Sequence, residues 1–347
     1  MMNIGHAVND LIAGKDLSFS DTEAIFRQII QNEESAMDQG AFLAAITAKG
    51  AVPEEIAAIW KVIDETDTNK VTIRTERPLA ENSGTGMDAF KTFNISTAAA
   101  VAASSAGAAV ARHGSRGITS KCGTVDVAEA LGVRTELSVE KVAKSVETCG
   151  IGLFNGMSPL VHPAGLGRIL SQIHFGTVLN IAASLANPCA PVYGLRGVND
   201  PAIIRSTAEI MRQIGYRRVF VLHGYLGEDN LGIDEATTLG RTVYTEIDAE
   251  GNVTEGAFYP EDFGLKRGKK EEIAALGDAV REAARLREIL DGRGDASARD
   301  IVALNGGLIL YLTGLAGTIQ KGIDLAREQL ETGKAGEKLN EWVAAQS

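Results

Sequence analysis

Four short stretches hold residue types that can bind an anion and a cation together. Gly84-Thr85-Gly86-Met87-Asp88 sets glycines, whose backbone can approach an anion closely, beside a carboxylate suited to a metal-bound phosphate or to ribose hydroxyls. Thr92-Phe93-Asn94-Ile95-Ser96-Thr97 reads as a helix start. Asn, Ser and Thr there are ordinary caps, but the same start presents free N–H groups and a positive dipole end. Arg112-His113-Gly114-Ser115-Arg116, followed by Thr119-Ser120-Lys121-Cys122-Gly123-Thr124-Val125-Asp126, concentrates cations, hydroxyls and glycines into a cradle for phosphate. Asp234-Glu235 is a pair of adjacent acids that can bind Mg²⁺, which prefers carboxylates, phosphate oxygens and water. Both acids are expected to be exposed when no metal is bound. Singly, each stretch has a plainer explanation as a turn, a cap, a surface loop or solvated charge, and His113 alone reads as a structural histidine. Together they describe a site for a phosphorylated small molecule.

The elements around these stretches fall into two textures. Before Glu81 the chain reads as helices: Ser20 with Glu23 fits a capping box ahead of Ile25 and Ile29, and Phe42, Leu43 and Ile46 keep helical spacing. Pro53 suits the first turn of a helix running through Ile56, Ile59, Trp60 and Ile63. From about Leu79, glycine-rich loops alternate with helices and short apolar runs. Val219–Leu222 and Thr242–Ile247 read as strands, with a turn at Gly251-Asn252. Such alternation predicts an α/β lobe with a central sheet. The charged stretches Lys269–Glu272 and Arg281-Glu282 read as a solvated helical face.

The composition narrows the partners. A net charge of −11 over 347 residues, without a long cationic run, disfavours nucleic acid, whose binding rests on cationic phosphate contacts. Three widely spaced cysteines give neither a zinc pattern nor a disulfide framework. The first residues lack an apolar signal-peptide core, and Ser96–Ala111 is too short and too weakly apolar to span a bilayer. A cytoplasmic protein with no membrane partner is expected.

In this order the stretches resemble anthranilate phosphoribosyltransferases, a family carrying GTGGD, TFNIST, KHGNR…SS…G-SAD-LEALG and a later DE pair. This chain reads GTGMD, TFNIST, RHGSRGITSKCGTVDVAEALGV and IDEATTLG. The likeness continues in DLSFSDTEAIFRQI, in HPA and N-x-x-x-x-L-x-NP, and in ARDIVALNGGLILYLTG. It implies a small all-helical lobe, residues 1–75 with part of about 165–190 packed on it. It also implies a larger α/β lobe, residues 76–347, a fold shared with pyrimidine nucleoside phosphorylases. The family further implies a homodimer, 5-phosphoribosyl 1-diphosphate as donor, Mg²⁺ as cofactor, and an aromatic or heterocyclic acceptor. Carried across by position, the donor site comprises Gly84, Asp88, Thr92, Asn94, Ser96, Thr97, Arg112, Gly114, Ser120 and Thr124. Arg112, His113 and Asp88 stand at the catalytic positions, and Ser96, Asp234 and Glu235 at the metal. Ser115, Asn155, His162 and Arg168 fall on the acceptor side.

The larger departures from the family fall on that acceptor side, except for a longer loop after His223-Gly224; others lie in the donor loops. Met87 replaces a glycine and is expected to crowd the first loop; Arg112 replaces a lysine, keeping charge but changing geometry. Ser115 replaces an asparagine, and the segment Asn155–Val161 is lengthened. No arginine falls near Ser171 or Gln172, where the family binds the anthranilate carboxylate; Arg168 is offset. These features predict an acceptor other than anthranilate. The alternatives are anthranilate itself, as in tryptophan biosynthesis, with Arg168 or Arg116 supplying the charge; phosphorolysis of a nucleoside; and a non-catalytic binding relative.

Overall fold

The computed structural model describes residues 3–117, 122–227 and 231–346. Four helices open the chain: α1 (Ile4–Ile12), α2 (Phe19–Ile30), α3 (Ala36–Lys49) and α4 (Pro53–Thr66). Three start on side-chain caps: Asn3 accepts from the His6 N–H at 2.8 Å, Ser18 from Asp21 at 3.1 Å and Ser35 from Asp38 at 3.2 Å. Helix α2 therefore begins two residues ahead of the Ser20 cap read from the sequence. Ser18 prevails because its hydroxyl also donates to the Asp21 carboxylate at 2.7 Å, while Glu23 pairs instead with Arg27 and Lys61.

Beyond α4, strands and helices alternate: β1 (Leu79–Gly84), α5 (Ile95–Ser105), β2 (Ala109–Gly114), α6 (Thr124–Ala130), α7 (Val139–Cys149) and β3 (Ile151–Asn155). Two short helices follow, α8 (Leu166–Gln172) and α9 (Leu179–Ala182), then β4 (Tyr193–Gly197), α10 (Ile204–Gln213) and β5 (Arg218–Tyr225). Strands β6 (Gly232–Ile233), β7 (Thr242–Ile247) and β8 (Val253–Phe258) complete the sheet. Helices α11 (Lys270–Ile273), α12 (Ala279–Leu290), α13 (Ala296–Leu312), α14 (Ile319–Glu331) and α15 (Lys334–Ala344) close the chain. The two strands and the turn read from the sequence are β5, β7 and the β7–β8 hairpin, where Asp248 accepts from the Asn252 N–H at 2.8 Å.

The sheet runs β3-β2-β1-β4-β5-β7-β8, with β6 on β5. Strands β1 to β5 are mutually parallel; β7 and β8 add antiparallel pairs. The order reverses between β1 and β4, because the chain winds outward through β2 and β3 and then returns to the other side of β1. Crevices outside the strand C-termini at such a reversal are where open α/β sheets bind ligands.

Two cores support this crevice. The α/β core includes α5, whose Ala98 to Ala103 are all fully buried and let the helix lie close to both sheet and α13. The other core joins α2, α3 and α4 through Ile25, Phe26, Ile29, Phe42, Leu43, Ile59 and Ile63. Leu166, Ile169, Val178 and Leu179, from the α8–α9 segment, pack into that helical core. Trp60 donates to the Leu185 carbonyl at 3.1 Å, and the Val178 N–H donates to Thr47 at 3.0 Å. The segment between β3 and β4 thus belongs to the helical layer, although it is inserted between strands of the sheet. Among the described residues, no helix is long and apolar enough to cross a membrane.

Candidate active site

The reversal between β1 and β4 carries a cavity of about 600 Å³, within the usual size range of small-molecule sites. Gly84 ends β1 and Gly197 ends β4, and both are glycine because the Asp234 segment crosses directly over them. A Cβ on Gly84 would lie 2.3 Å from the Asp234 carboxylate, and one on Gly197 would overlap the Asp234 carbonyl. Gly86 then takes a φ of 69°, which turns its N–H toward Asp234 Oδ2 at 2.6 Å. Thr85 ties the β1 loop to the β4 loop through Asn199, each bond 3.1 Å long.

Three carboxyl groups meet here. Asp88 Oδ2 accepts from the Asp234 N–H at 2.9 Å, while its Oδ1 is buried with no hydrogen-bond partner. The Ser96 hydroxyl donates to Glu235 at 2.9 Å. Burial, followed by the negative charge of Asp234, pushes the Asp88 carboxyl up to about 10 and Glu235 up to about 8. The acids are therefore not the exposed pair expected from the sequence: Asp234 is 8% exposed, because the loop after β6 folds back over the sheet. Like charges buried together, with one oxygen unsatisfied, suit a divalent cation with oxygen ligands. Among the described residues no three such side chains form a closed cage, so phosphate oxygens and water would have to complete a metal's shell.

Beside the acids lies the start of α5, whose Ser96 reaches Glu235. Asn94 caps this helix through backbone alone and spends no side-chain bond on it. Arg112, on β2, is buried beneath; it donates to Thr97 at 2.5 Å and to Asn82 Oδ1 at 3.2 Å, and Asn82 holds the Ser96 carbonyl at 2.8 Å. Burial lowers the Arg112 guanidinium to about 10, which leaves it a cation at neutral pH. Thr92, Gly114, Ser115 and Thr124 also line the cavity. Asp126, not singled out from the sequence, organises the loop that carries Ser115. It accepts from the N–H groups of Gly117 and Gly123 at 3.0 and 2.8 Å, and from Arg116 at 3.1 Å. Ser120 lies outside the described residues.

The remaining wall comes from the helical layer. Leu166 and Leu170 of α8, Leu179 and Asn180 of α9, and Ala183 and Ser184 beyond it face the cavity. Three residues assigned to the acceptor do not line it. Arg168 points into the helical layer, donating to Gln39 at 2.9 Å and to the Ile29 carbonyl at 2.8 Å. The helical repeat explains this: Leu166 and Leu170, four apart, share the cavity face, and Arg168 between them is on the other side. Asn155 is fully engaged, donating to Glu136 at 2.7 Å and accepting from the Met157 N–H at 3.1 Å. His162 is buried behind His113, the two Nε2 atoms 3.0 Å apart; His113 itself is in the wall. Met87 does not crowd the phosphate loop either. It turns toward the helical core and rests against Gly176, where a Cβ would lie 2.8 Å from its sulfur. Glu282, expected on a solvated face, is 1% exposed and part of the cavity wall, its carboxylate taking the Leu276 N–H.

Sequence reasoning missed Asn180 as a wall residue, although it opens the N-x-x-x-x-L-x-NP motif. It donates to the Thr85 carbonyl at 3.0 Å and so joins the helical layer to the phosphate loop. It also missed the buried trio Glu81, Arg196 and Tyr216. Arg196 bridges Glu81 at 3.1 Å and Ser184 at 2.9 Å, and Tyr216 donates to Glu81. No local pattern marks these residues, which are 115 or more positions apart except within the short β4–β5 interval.

This architecture and these residues have relatives. Residues 76–336 match the model of a glycosyl transferase family α/β domain, and residues 6–66 match that family's helical bundle domain. The chain is 32% identical to anthranilate phosphoribosyltransferase of Persephonella marina, over 96% of each chain. It is 35% identical to that of Pelodictyon phaeoclathratiforme, over 95% of this chain and 93% of the relative. The solved anthranilate phosphoribosyltransferase of Thermus thermophilus superposes with a TM-score of 0.84 at 31% identity, covering 98% of this chain and 99% of that one. The Saccharomyces cerevisiae enzyme, solved in complex with PRPP and Mg, shares the fold at 22% identity and the same TM-score. With a matching domain model over most of its length and relatives above 30% identity end to end, the chain belongs to the anthranilate phosphoribosyltransferase family of glycosyl transferases.

Proposed function

We propose that the protein transfers the 5-phosphoribosyl group of 5-phosphoribosyl 1-diphosphate to the nitrogen of an aromatic or heterocyclic acceptor, releasing diphosphate. The observation that carries this reading is the meeting of a glycine loop, a helix start, a buried arginine and three carboxyl groups in one cavity at the sheet reversal. The first three hold anionic oxygens; the carboxyl groups do not, unless a cation intervenes. Asp234 and Glu235, with Ser96 and the unpartnered Asp88 oxygen, would hold Mg²⁺. Bound there, the ion would neutralise diphosphate charge as the C1–O bond breaks. Arg112 and the N–H groups at the start of α5 would stabilise the same leaving charge, Arg112 already oriented and screened from water. The rest of catalysis is positioning, since an aromatic amine attacks without prior loss of a proton.

The acceptor enters from the helical layer, against Leu166, Leu170, Leu179 and Ala183. A flat, largely apolar nucleophile suits that wall. Relatives at 32–35% identity favour anthranilate as the second reading, but the arginines of this region are already engaged. Arg112 is bound to Thr97 and Asn82, Arg116 to Asp126 and Glu129, and Arg168 faces away. Calorimetry with the donor and Mg²⁺ tests the donor site: saturable one-to-one binding is expected, and no heat with Mg²⁺ present would remove the proposal. The reading includes a homodimer, which light scattering in solution checks as twice the chain mass.

A further inference from the structure

One amide on strand β1 joins the buried arginine of the cavity to the helix start beside the carboxyl groups. Ala80 of β1 and Val110 of β2 pair in the parallel register, and both belong to the core that holds α5. Side chains alternate along a strand, so two residues further on Asn82 and Arg112 come to that same face. Asn82 is 2% exposed, and a polar group buried there is costly unless each end is bonded. Both ends are. The Arg112 Nε–H only donates, so it meets Asn82 Oδ1, at 3.2 Å, with the Asn82 backbone carbonyl a more distant second acceptor at 3.4 Å. The Ser96 carbonyl only accepts, so it meets Asn82 Nδ2, at 2.8 Å. These partners leave the amide a single orientation.

Arg112 is held at a second point, where Nη1 donates to Thr97 at 2.5 Å. A guanidinium carries its five N–H donors in one fixed plane, so holding Nε and Nη1 sets where Nη2 points. Nη2 bonds to none of the described residues yet keeps accessible surface, and Arg112 is part of the cavity wall. The side of the cavity it serves follows from its neighbours. Thr97 comes directly after Ser96, whose hydroxyl donates to Glu235 at 2.9 Å. Burial lowers the guanidinium, and the charge of Glu235, then that of Glu81, raises it again. Arg112 therefore stands on the side of the carboxyl groups.

We propose that Asn82 is a positioning residue for the leaving group: it fixes the plane of the Arg112 guanidinium and ties it to the start of α5, so that Nη2 meets an oxygen of the diphosphate rather than the 5-phosphate. This rests on the phosphoribosyl transfer inferred above and names the part of the donor that Arg112 reads. As the C1–N bond forms, the C1–O bond breaks and its electron pair leaves with diphosphate. The charge that grows there falls to Arg112, whose direction Asn82 has already set, so no reorientation is needed at that moment. A lysine at position 112 has neither an Nε–H nor a plane, and Asn82 would then have only the Ser96 carbonyl to hold.

The test is a double-mutant cycle on the full-length protein, read by calorimetry with two probes, inorganic pyrophosphate plus Mg²⁺ and ribose 5-phosphate. Asn82→Leu should weaken pyrophosphate binding by about 10-fold or more, while ribose 5-phosphate stays within about 2-fold. In an Arg112→Lys background the same substitution should cost less than about 3-fold, because lysine offers no Nε–H to orient. Asn82→Ser leaves room for a water to satisfy the Ser96 carbonyl, and it should show the same selective loss if the leucine variant does not fold. Equal losses in the two backgrounds would show that Asn82 acts without Arg112. Equal losses for the two probes would show a merely structural role. Either result overturns the proposal and leaves phosphoribosyl transfer intact. A wild-type protein that binds neither pyrophosphate nor 5-phosphoribosyl 1-diphosphate in the presence of Mg²⁺ would overturn the transfer reading itself.

Discussion

At the residue scale, the site works by opposing charges that are buried rather than solvated. Asp88 and Glu235 are pushed toward the neutral form first because burial removes water from them and then because a third carboxyl is beside them. Removing charge without removing shape should therefore separate function from folding. Asp234→Asn with Glu235→Gln keeps the bonds to Gly86 and Ser96 sterically possible while relieving repulsion. We expect transfer to fall by about 10²-fold or more, with a melting temperature equal to or above that of the wild type. Near-normal turnover at limiting Mg²⁺ would show that these acids hold no metal. Arg112 illustrates the converse: its hydrogen bonds to Thr97 and Asn82 keep a buried cation in place with its charge intact.

At the element scale, α8 is the member whose placement matters most, since its two leucines line the cavity and its arginine anchors the helical layer. Its N-terminus is held by one side chain from the end of α4. The Asp67 carboxylate, fully buried, accepts from the N–H groups of Ala164, Gly165 and Leu166, the last two at 3.0 and 2.6 Å. Hydrogen bonds to a charged acceptor are among the stronger ones, and here three donors depend on it. Asp67→Ala is expected to cost about 2–4 kcal/mol in urea unfolding and to raise acceptor KM more than donor Kd. A loss below about 1 kcal/mol would mean that water replaces the carboxylate and the cap is dispensable.

At the scale of the whole molecule, the cavity is walled by two different layers, which the proposed function assigns to donor and acceptor. The α/β sheet supplies the phosphate loops, and the helical layer supplies Leu166, Leu170, Leu179 and Ser184. Asn180 to Thr85 and Arg196 to Ser184 are among the bonds that lock the layers together. Under the proposed function, changes in how that junction packs are expected to alter acceptor choice more than donor binding. Met87 against Gly176 is one such change, since it fills space between the layers with an apolar side chain. We expect anthranilate to be a poor acceptor. Lacking an ion pair to its carboxylate would cost on the order of 2–5 kcal/mol, a factor of roughly 30 or more. Steady-state kinetics with saturating donor checks this, and a kcat/KM of about 10⁴ M⁻¹s⁻¹ or higher would show that the altered wall does not discriminate against it.

The amino-acid sequence by itself determined what is local. The glycine loop, the TFNIST helix start, the RHGSR stretch and the Asp-Glu pair were legible as short runs, although singly each also read as a turn, a cap, a surface loop or solvated charge, and only their order together pointed to a site. The helical beginning and the alternating lobe were legible too, since periodicity is a property of neighbours in the chain. What only the tertiary structure decided depends on direction and burial. Arg168 and Leu170 are two positions apart on one helix, yet one meets Gln39 and the other the cavity. His113 and His162 are 49 positions apart and touch through their Nε2 atoms. Asp88 and Asp234 are 146 apart, and their meeting over Gly84 and Gly197 turned two ordinary acids into a buried, mutually repelling pair. A sequence states which groups are available; the sheet reversal and the helical layer inserted between its strands state which of them face one another, and at that range burial and charge, rather than residue type, set their chemistry.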